Sequence, residues 1–121
     1  MSIRVLIVDD SSYVRDGLCS ILGHDPRIQV VGEAENGSGA IASARDLKPD
    51  VILMDAQMPS MDGIQATRYI KEHFPRQRII CLTVHPHNAG QILAAGASTY
   101  LLKDAPREEL LNTIFEAADA S

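Results

Sequence analysis

Tryptophan is absent from the chain, and aromatic residues make up only 4% of it. A flavin-binding electron carrier on an α/β fold needs aromatic walls for its ring and a hydroxyl-rich phosphate loop after the first strand, so that class is disfavoured. Cysteine is scarce as well. Cys19 and Cys81 are the only two, too few for a disulfide scaffold, and each falls in a regular apolar stretch where a reduced core thiol is expected. No apolar run approaches the roughly 20 residues of a membrane span. Met1-Ser2-Ile3-Arg4 leads directly into a strand-like run and does not read as a signal peptide, so the expected compartment is the cytoplasm, with no membrane partner. Positive charge is also in deficit. With 11 basic against 16 acidic residues the net charge is -5, which gives no electrostatic reason for direct nucleic-acid binding. Repeats, low-complexity tracts and linkers are missing, and 121 residues read as one domain, 1–121.

What is present is a 45% apolar fraction, enough for a real core, arranged as short branched runs that alternate with amphipathic stretches. That is the pattern of repeated βα units around a parallel sheet. Val5-Leu6-Ile7-Val8, Val51-Ile52-Leu53-Met54 and Ile79-Ile80-Cys81-Leu82 are almost wholly apolar, as central strands covered on both faces must be. Ile28-Gln29-Val30-Val31 and Thr99-Tyr100-Leu101-Leu102 carry polar interruptions and fit the edges. Val14, Leu18, Ile21 and Leu22 share one face of a first helix that Ser11 or Ser12 can cap and Gly23 can end. Ile41, Ala44 and Leu47 mark a second, which Pro49 stops. Ala66, Tyr69, Ile70 and Phe74 mark a third, stopped by Pro75. A final helix has Pro106 in its first turn, Glu108 and Glu109 near its positive end, and Leu110, Leu111, Ile114, Phe115 and Ala118 as its buried stripe. Between Thr83 and Gly96, Pro86 and Gly90 leave room for barely two turns, so the fourth helix is expected to be short or irregular.

In open parallel sheets, ligands bind beyond the carboxyl ends of the strands. Asp9 and Asp10 follow the first strand, Asp55 ends the third, Thr83 the fourth and Lys103 the fifth. Crowded carboxylates repel, and a hard cation such as Mg²⁺ or the Lys103 ammonium relieves them. Magnesium keeps company with phosphate oxygens, so such a site calls for a phosphate.

Four pieces of sequence carry a resemblance: Val8-Asp9-Asp10-Ser11, the segment Leu53-Met54-Asp55-Ala56-Gln57-Met58-Pro59-Ser60-Met61-Asp62-Gly63, Cys81-Leu82-Thr83, and Gly96-Ala97-Ser98-Thr99-Tyr100-Leu101-Leu102-Lys103. Over essentially its whole length the chain closely resembles the response-regulator receiver family of two-component systems. The resemblance implies a flavodoxin-like (βα)5 doubly wound sheet of strand order 2-1-3-4-5. It implies that Asp55 accepts a phosphoryl group from a sensor histidine kinase. Mg²⁺ (or Mn²⁺) would be held by Asp9, Asp10, Asp55 and the Gln57 main-chain carbonyl, with Asp9 acting through water. Lys103 and Thr83 would contact the phosphoryl oxygens, and Thr83 and Tyr100 would form the switch, with output through the fourth helix, fifth strand and fifth helix. Such a domain is a regulatory phosphoacceptor that assists its own phosphorylation and dephosphorylation, not an enzyme with a separate substrate.

Val31-Gly32-Glu33-Ala34-Glu35-Asn36-Gly37 and Tyr100-Leu101-Leu102-Lys103-Asp104-Ala105 look like the subfamily whose receivers precede a helix-turn-helix DNA-binding domain. A stand-alone single-domain regulator acting by protein contact is the alternative. An aspartyl-phosphatase would place its nucleophile at the first strand with a second aspartate two residues on, but position 11 is Ser11. His85 and His87 lack a further nearby ligand and read as a polar loop, not zinc. His85 and Gln57 stand two residues after Thr83 and Asp55, positions that in this family influence acyl-phosphate lifetime. Gly37-Ser38-Gly39 follows the second strand and eases entry into a helix, in contrast to a dinucleotide loop. The Thr83–Gly96 stretch is shorter than usual for the family by about half a helical turn, which leaves a homodimer through that face less secure than the phosphorylation itself; the first and fifth helices offer another route to a dimer.

Overall fold

The computed structural model describes residues 2–119. Strands β1 (Ile3–Val8), β2 (Ile28–Ala34), β3 (Val51–Asp55), β4 (Arg78–Thr83) and β5 (Thr99–Leu102) alternate with helices α1 (Ser12–Gly23), α2 (Gly37–Leu47), α3 (Gly63–His73), α4 (Ala89–Ala94) and α5 (Arg107–Asp119). The strands form one sheet of order β2-β1-β3-β4-β5, with every pairing parallel. The chain therefore has the flavodoxin-like doubly wound architecture, and the two strands with polar interruptions are the edges.

Alternation along the central strands divides the core into two layers, because successive side chains point to opposite faces. Leu6, Val8, Ile52, Met54, Ile79 and Cys81 face Ala40 and Ala44 of α2, Ala66 and Ile70 of α3, and Ile92 of α4. Val5, Ile7, Val51, Leu53, Ile80 and Leu82 face Leu22 of α1 and Leu110, Leu111, Ile114 and Ala117 of α5. Truncating one of these buried Leu or Ile side chains to Ala costs about 2–5 kcal/mol in cores of this kind, so the sheet is a rigid platform for its loops.

Ser11 caps α1 by accepting from the Val14 N–H at 3.3 Å. Asp62 and Gln65 cap α3 reciprocally, each side chain bonding the other's main-chain N–H. α4 is six residues long, preceded by a 3-10 turn at Pro86–Asn88, as the proline and glycine require. Two details correct the sequence pattern. Tyr69 is 42% exposed and stacks on His73 with ring centroids 4.1 Å apart. The buried face of α3 is Gly63, Ala66, Thr67 and Ile70, where polar Thr67 is tolerated because its hydroxyl lies 3.5 Å from Cys81 Sγ. Pro106 sits one place before α5, its carbonyl accepting from the Leu110 N–H at 3.0 Å.

Candidate functional site

The parallel sheet brings the ends of β1, β3, β4 and β5 to one rim. Asp9 follows β1 and is anchored by its N–H donating to the Ala34 carbonyl at 3.1 Å. Its Oδ1 accepts from the Ser11 N–H at 2.9 Å, which turns the chain into α1. Asp55 is the last residue of β3, and both carboxylates are 1% exposed, whereas Asp10 stands in the open. One carboxylate oxygen from each of Asp9, Asp10 and Asp55 lies within 4.8 Å of the others. Among the described residues, this is the group of three side chains placed to hold a metal ion together.

Lys103, just beyond β5, reaches across to the acids. Its Nζ is 3.0 Å from Asp55 Oδ1 and 3.3 Å from Asp9 Oδ2. The Gln57 N–H also donates to Asp55 Oδ1, at 3.0 Å. Burial pushes the Asp55 carboxyl up to about 6, and the charge of Asp9 adds to this, against the opposing pull of the Gln57 N–H and Lys103. For Lys103 burial acts downward, but its hydrogen bond to Asp55 and the charges of Asp55 and Asp9 outweigh it and leave it raised. The difference is one of depth. The lysine reaches in from the rim, so pairing dominates, while the aspartate is enclosed and desolvation dominates.

Asp55 Oδ2 is buried and has no hydrogen-bond partner among the described residues. An orphaned buried carboxylate oxygen is costly unless something else satisfies it. The three side chains of the cluster are all carboxylates, the oxygen chemistry that suits Mg²⁺ or Mn²⁺, so the residues fit a hard divalent ion.

Thr83 closes β4 and is fully buried. Its hydroxyl accepts from the His85 N–H at 3.0 Å and faces the His85 carbonyl at 3.4 Å. The Lys103 N–H donates to the Thr83 carbonyl at 2.9 Å, so hydroxyl and ammonium are joined through the last rung of the ladder. Tyr100 pairs with Cys81 across that ladder and is half-buried against the α2–α3–α4 core layer. Gln57, His85 and His87 are exposed, and the two imidazole centroids are 5.2 Å apart.

Two residues at the site escaped sequence reasoning. A Cβ on Gly63 would run into the Asp55 carbonyl and the Ala56 Cα, so only glycine lets α3 start against the loop that follows Asp55. Arg15 Nη1 donates to the Asp9 carbonyl at 2.7 Å. Its position four residues after Ser11 on a capped helix was the available signal.

Comparison with known proteins matches residues 5–115 to the response regulator receiver domain. The chain belongs to that family. The receiver is 40% identical over 116 residues to the response regulator protein VraR of Staphylococcus aureus, an alignment covering 94% of this chain and 56% of VraR. It thus spans about half the length of the curated relatives it matches. A two-component response regulator of the LuxR family from Aurantimonas sp. SI85-9A1 superposes with a TM-score of 0.93 at 32% identity, covering 98% of the receiver and 86% of that chain. A chain of the CheX-CheY-BeF3-Mg complex from Borrelia burgdorferi superposes with a TM-score of 0.86 at 26% identity, covering 94% and 87% respectively. No described helix of the receiver is long and apolar enough to cross a membrane.

Proposed function

We propose that this receiver is a Mg²⁺-dependent phosphoacceptor switch, modified on Asp55 by a sensor histidine kinase in the cytoplasm. The observation that carries the proposal is the unpartnered, buried Asp55 Oδ2 beside two further carboxylates, with Lys103 on the opposite oxygen. Asp9, Asp10, Asp55 and the Gln57 main-chain carbonyl would hold the cation, Asp9 through water. When bound, the cation supplies neutralisation of the charge on the transferring group.

In the transfer, an Asp55 carboxylate oxygen forms the new O–P bond while the P–N bond of the donor phosphohistidine breaks, and the departing imidazole takes up a proton. The Lys103 ammonium, already 3.0 Å from Asp55, is positioned to pair with a phosphoryl oxygen. The Thr83 hydroxyl reaches the phosphoryl group by exchanging its donation to the His85 carbonyl for a donation to a phosphoryl oxygen. That exchange pulls on the loop carrying His85, and Tyr100 turns inward as the loop moves. A ligand needs only to bind one of two such arrangements better than the other. Water attack on the acyl phosphate returns the carboxylate and releases inorganic phosphate, and Gln57 and His85 flank the path and set its rate.

The likeness to a LuxR-family regulator supports transcriptional output through a DNA-binding domain outside this chain, the receiver itself, residues 1–121, holding no nucleic acid. A stand-alone regulator acting by protein contact is the second reading. A homodimer, through α1 and α5 or through the α4–β5–α5 face, would communicate the switch.

Incubation with acetyl phosphate and Mg²⁺, followed by intact-mass measurement, tests the central claim. The parent should gain the mass of one phosphoryl group, and Asp55→Asn should gain none. Equal labelling of the two would sink the assignment.

A further inference from the structure

Arg15 lies in the first turns of α1, and its side chain folds back under the loop that joins β1 to α1. Nη1 donates to the Asp9 carbonyl at 2.7 Å, and Nε donates to Glu33 Oε1 at 3.1 Å. The side chain is only 16% exposed, unusual for a residue that normally lies in water. Its partners belong to neighbouring strands, since Asp9 follows β1 and Glu33 lies in β2. A planar guanidinium with donors on several edges can span two such acceptors, and a lysine ammonium on its single atom cannot do so in the same geometry.

Of the three acids, Asp10 is the one that most needs support. Asp9 is fixed by Ser11 and Lys103, and Asp55 by Gln57 and Lys103. Asp10 is exposed, and among the described residues no side-chain hydrogen bond or ion pair restrains its carboxylate. Its direction into the cluster depends on the plane of the Asp9–Asp10 peptide. That plane is rigid, and its oxygen is the atom Arg15 holds.

Resting on the metal-site reading above, we infer that Arg15 is a positioning residue for divalent-cation binding, fixing the Asp9–Asp10 peptide so that Asp10 is presented to the ion. Groups that orient metal ligands from behind typically change affinity by about 10–100-fold when removed. Glu33 steadies the far end of the brace.

The test is calorimetric titration of the full chain with Mg²⁺ alone, for the parent, Arg15→Met, Arg15→Lys and Asp10→Asn, at a temperature where circular dichroism shows each to be folded. Arg15→Met should weaken Mg²⁺ binding by about tenfold or more, approaching Asp10→Asn, with Arg15→Lys only partly restored. A brace of merely structural value would lower the melting temperature and leave the affinity of the folded protein unchanged, which would overturn the inference. Full recovery by Arg15→Lys would do the same, because it would reduce the role to charge. If Arg15→Met does not fold, Arg15→Lys alone decides, parity with the parent being fatal. A parent that fails to bind Mg²⁺ would instead refute the metal-site reading itself, and this inference with it.

Discussion

Gly63 packs so closely on the Asp55 carbonyl that no side chain can be placed on it without moving main chain. Its N–H also donates to the Ala56 carbonyl at 3.0 Å, so the start of α3 and the end of β3 form one unit. Gly63→Ala should therefore lower stability by about 1–3 kcal/mol, the usual range for overpacking, and displace Asp55. Urea denaturation measures the first effect. The rate of mass gain with acetyl phosphate, at a temperature where the variant is folded, measures the second, and a rate equal to the parent's would show that the contact does not position Asp55.

The site's acidity should appear in stability without any phosphorylation. Asp55 is raised from 3.8 to about 6 chiefly by burial, so the ionised carboxylate opposes folding in the metal-free protein. The sign follows from linkage: the penalty is absent below about pH 4, grows as pH rises, and is complete above about pH 6. In EDTA, the melting temperature of Asp55→Asn should exceed that of the parent by a margin that widens across this window. Parallel melting curves from pH 4 to pH 7 would contradict a burdened carboxyl. Excess Mg²⁺ at pH 7 should narrow the gap by raising the parent.

Asp25 has the opposite character. Its bonds to the Arg27 side chain at 3.0 Å and 2.7 Å, and to the Arg27 N–H at 2.9 Å, hold its carboxyl down from 3.8 to about 2. Arg27 in turn lies over the Phe115 ring, 4.1 Å from its centroid, so the cluster ties the α1–β2 turn to α5. A depressed carboxyl contributes stability that is full above about pH 4 and lost as pH falls through about 2. Acid titration followed by circular dichroism should show Asp25→Asn less stable than the parent at pH 6, with the difference shrinking below pH 4. A gap that stayed constant to pH 2 would argue against the pairing.

Both thiols should be sluggish. Burial pushes Cys81 up to about 11, and burial with the neighbouring Glu33 raises Cys19. Because the thiolate is the reactive form, iodoacetamide at pH 7.5 should leave Cys81 unmodified in the native protein and alkylate it in urea. Prompt native labelling of Cys81, read by peptide mass, would mean that the core opens more readily than its packing implies.

Much of this was legible in the residues. Asp9, Asp10, Asp55, Thr83 and Lys103 announce themselves because a charged or hydroxyl side chain at the end of a β-rich apolar run has no packing reason to be there. The short α4 follows from Pro86 and Gly90, and the central and edge strands from their polarity. Tyr69 and Thr67 were harder, since an aromatic at helical spacing looks like core and a threonine does not; the sulfur of Cys81 reverses that choice. Gly63 and Arg15 were hidden for a different reason. One acts by lacking a side chain and the other through a main-chain carbonyl, and of the two only Arg15 leaves a signal in the sequence, its place one turn into a capped helix.

Within α4, Ile92 is the only buried residue. A segment moored by one peg can swivel about it without tearing the rest of the wall, because few contacts must be broken and remade. In the proposed switch, small tugs at Thr83 would thereby become larger displacements on the outer surface, with the leverage set by how firmly that single isoleucine is seated.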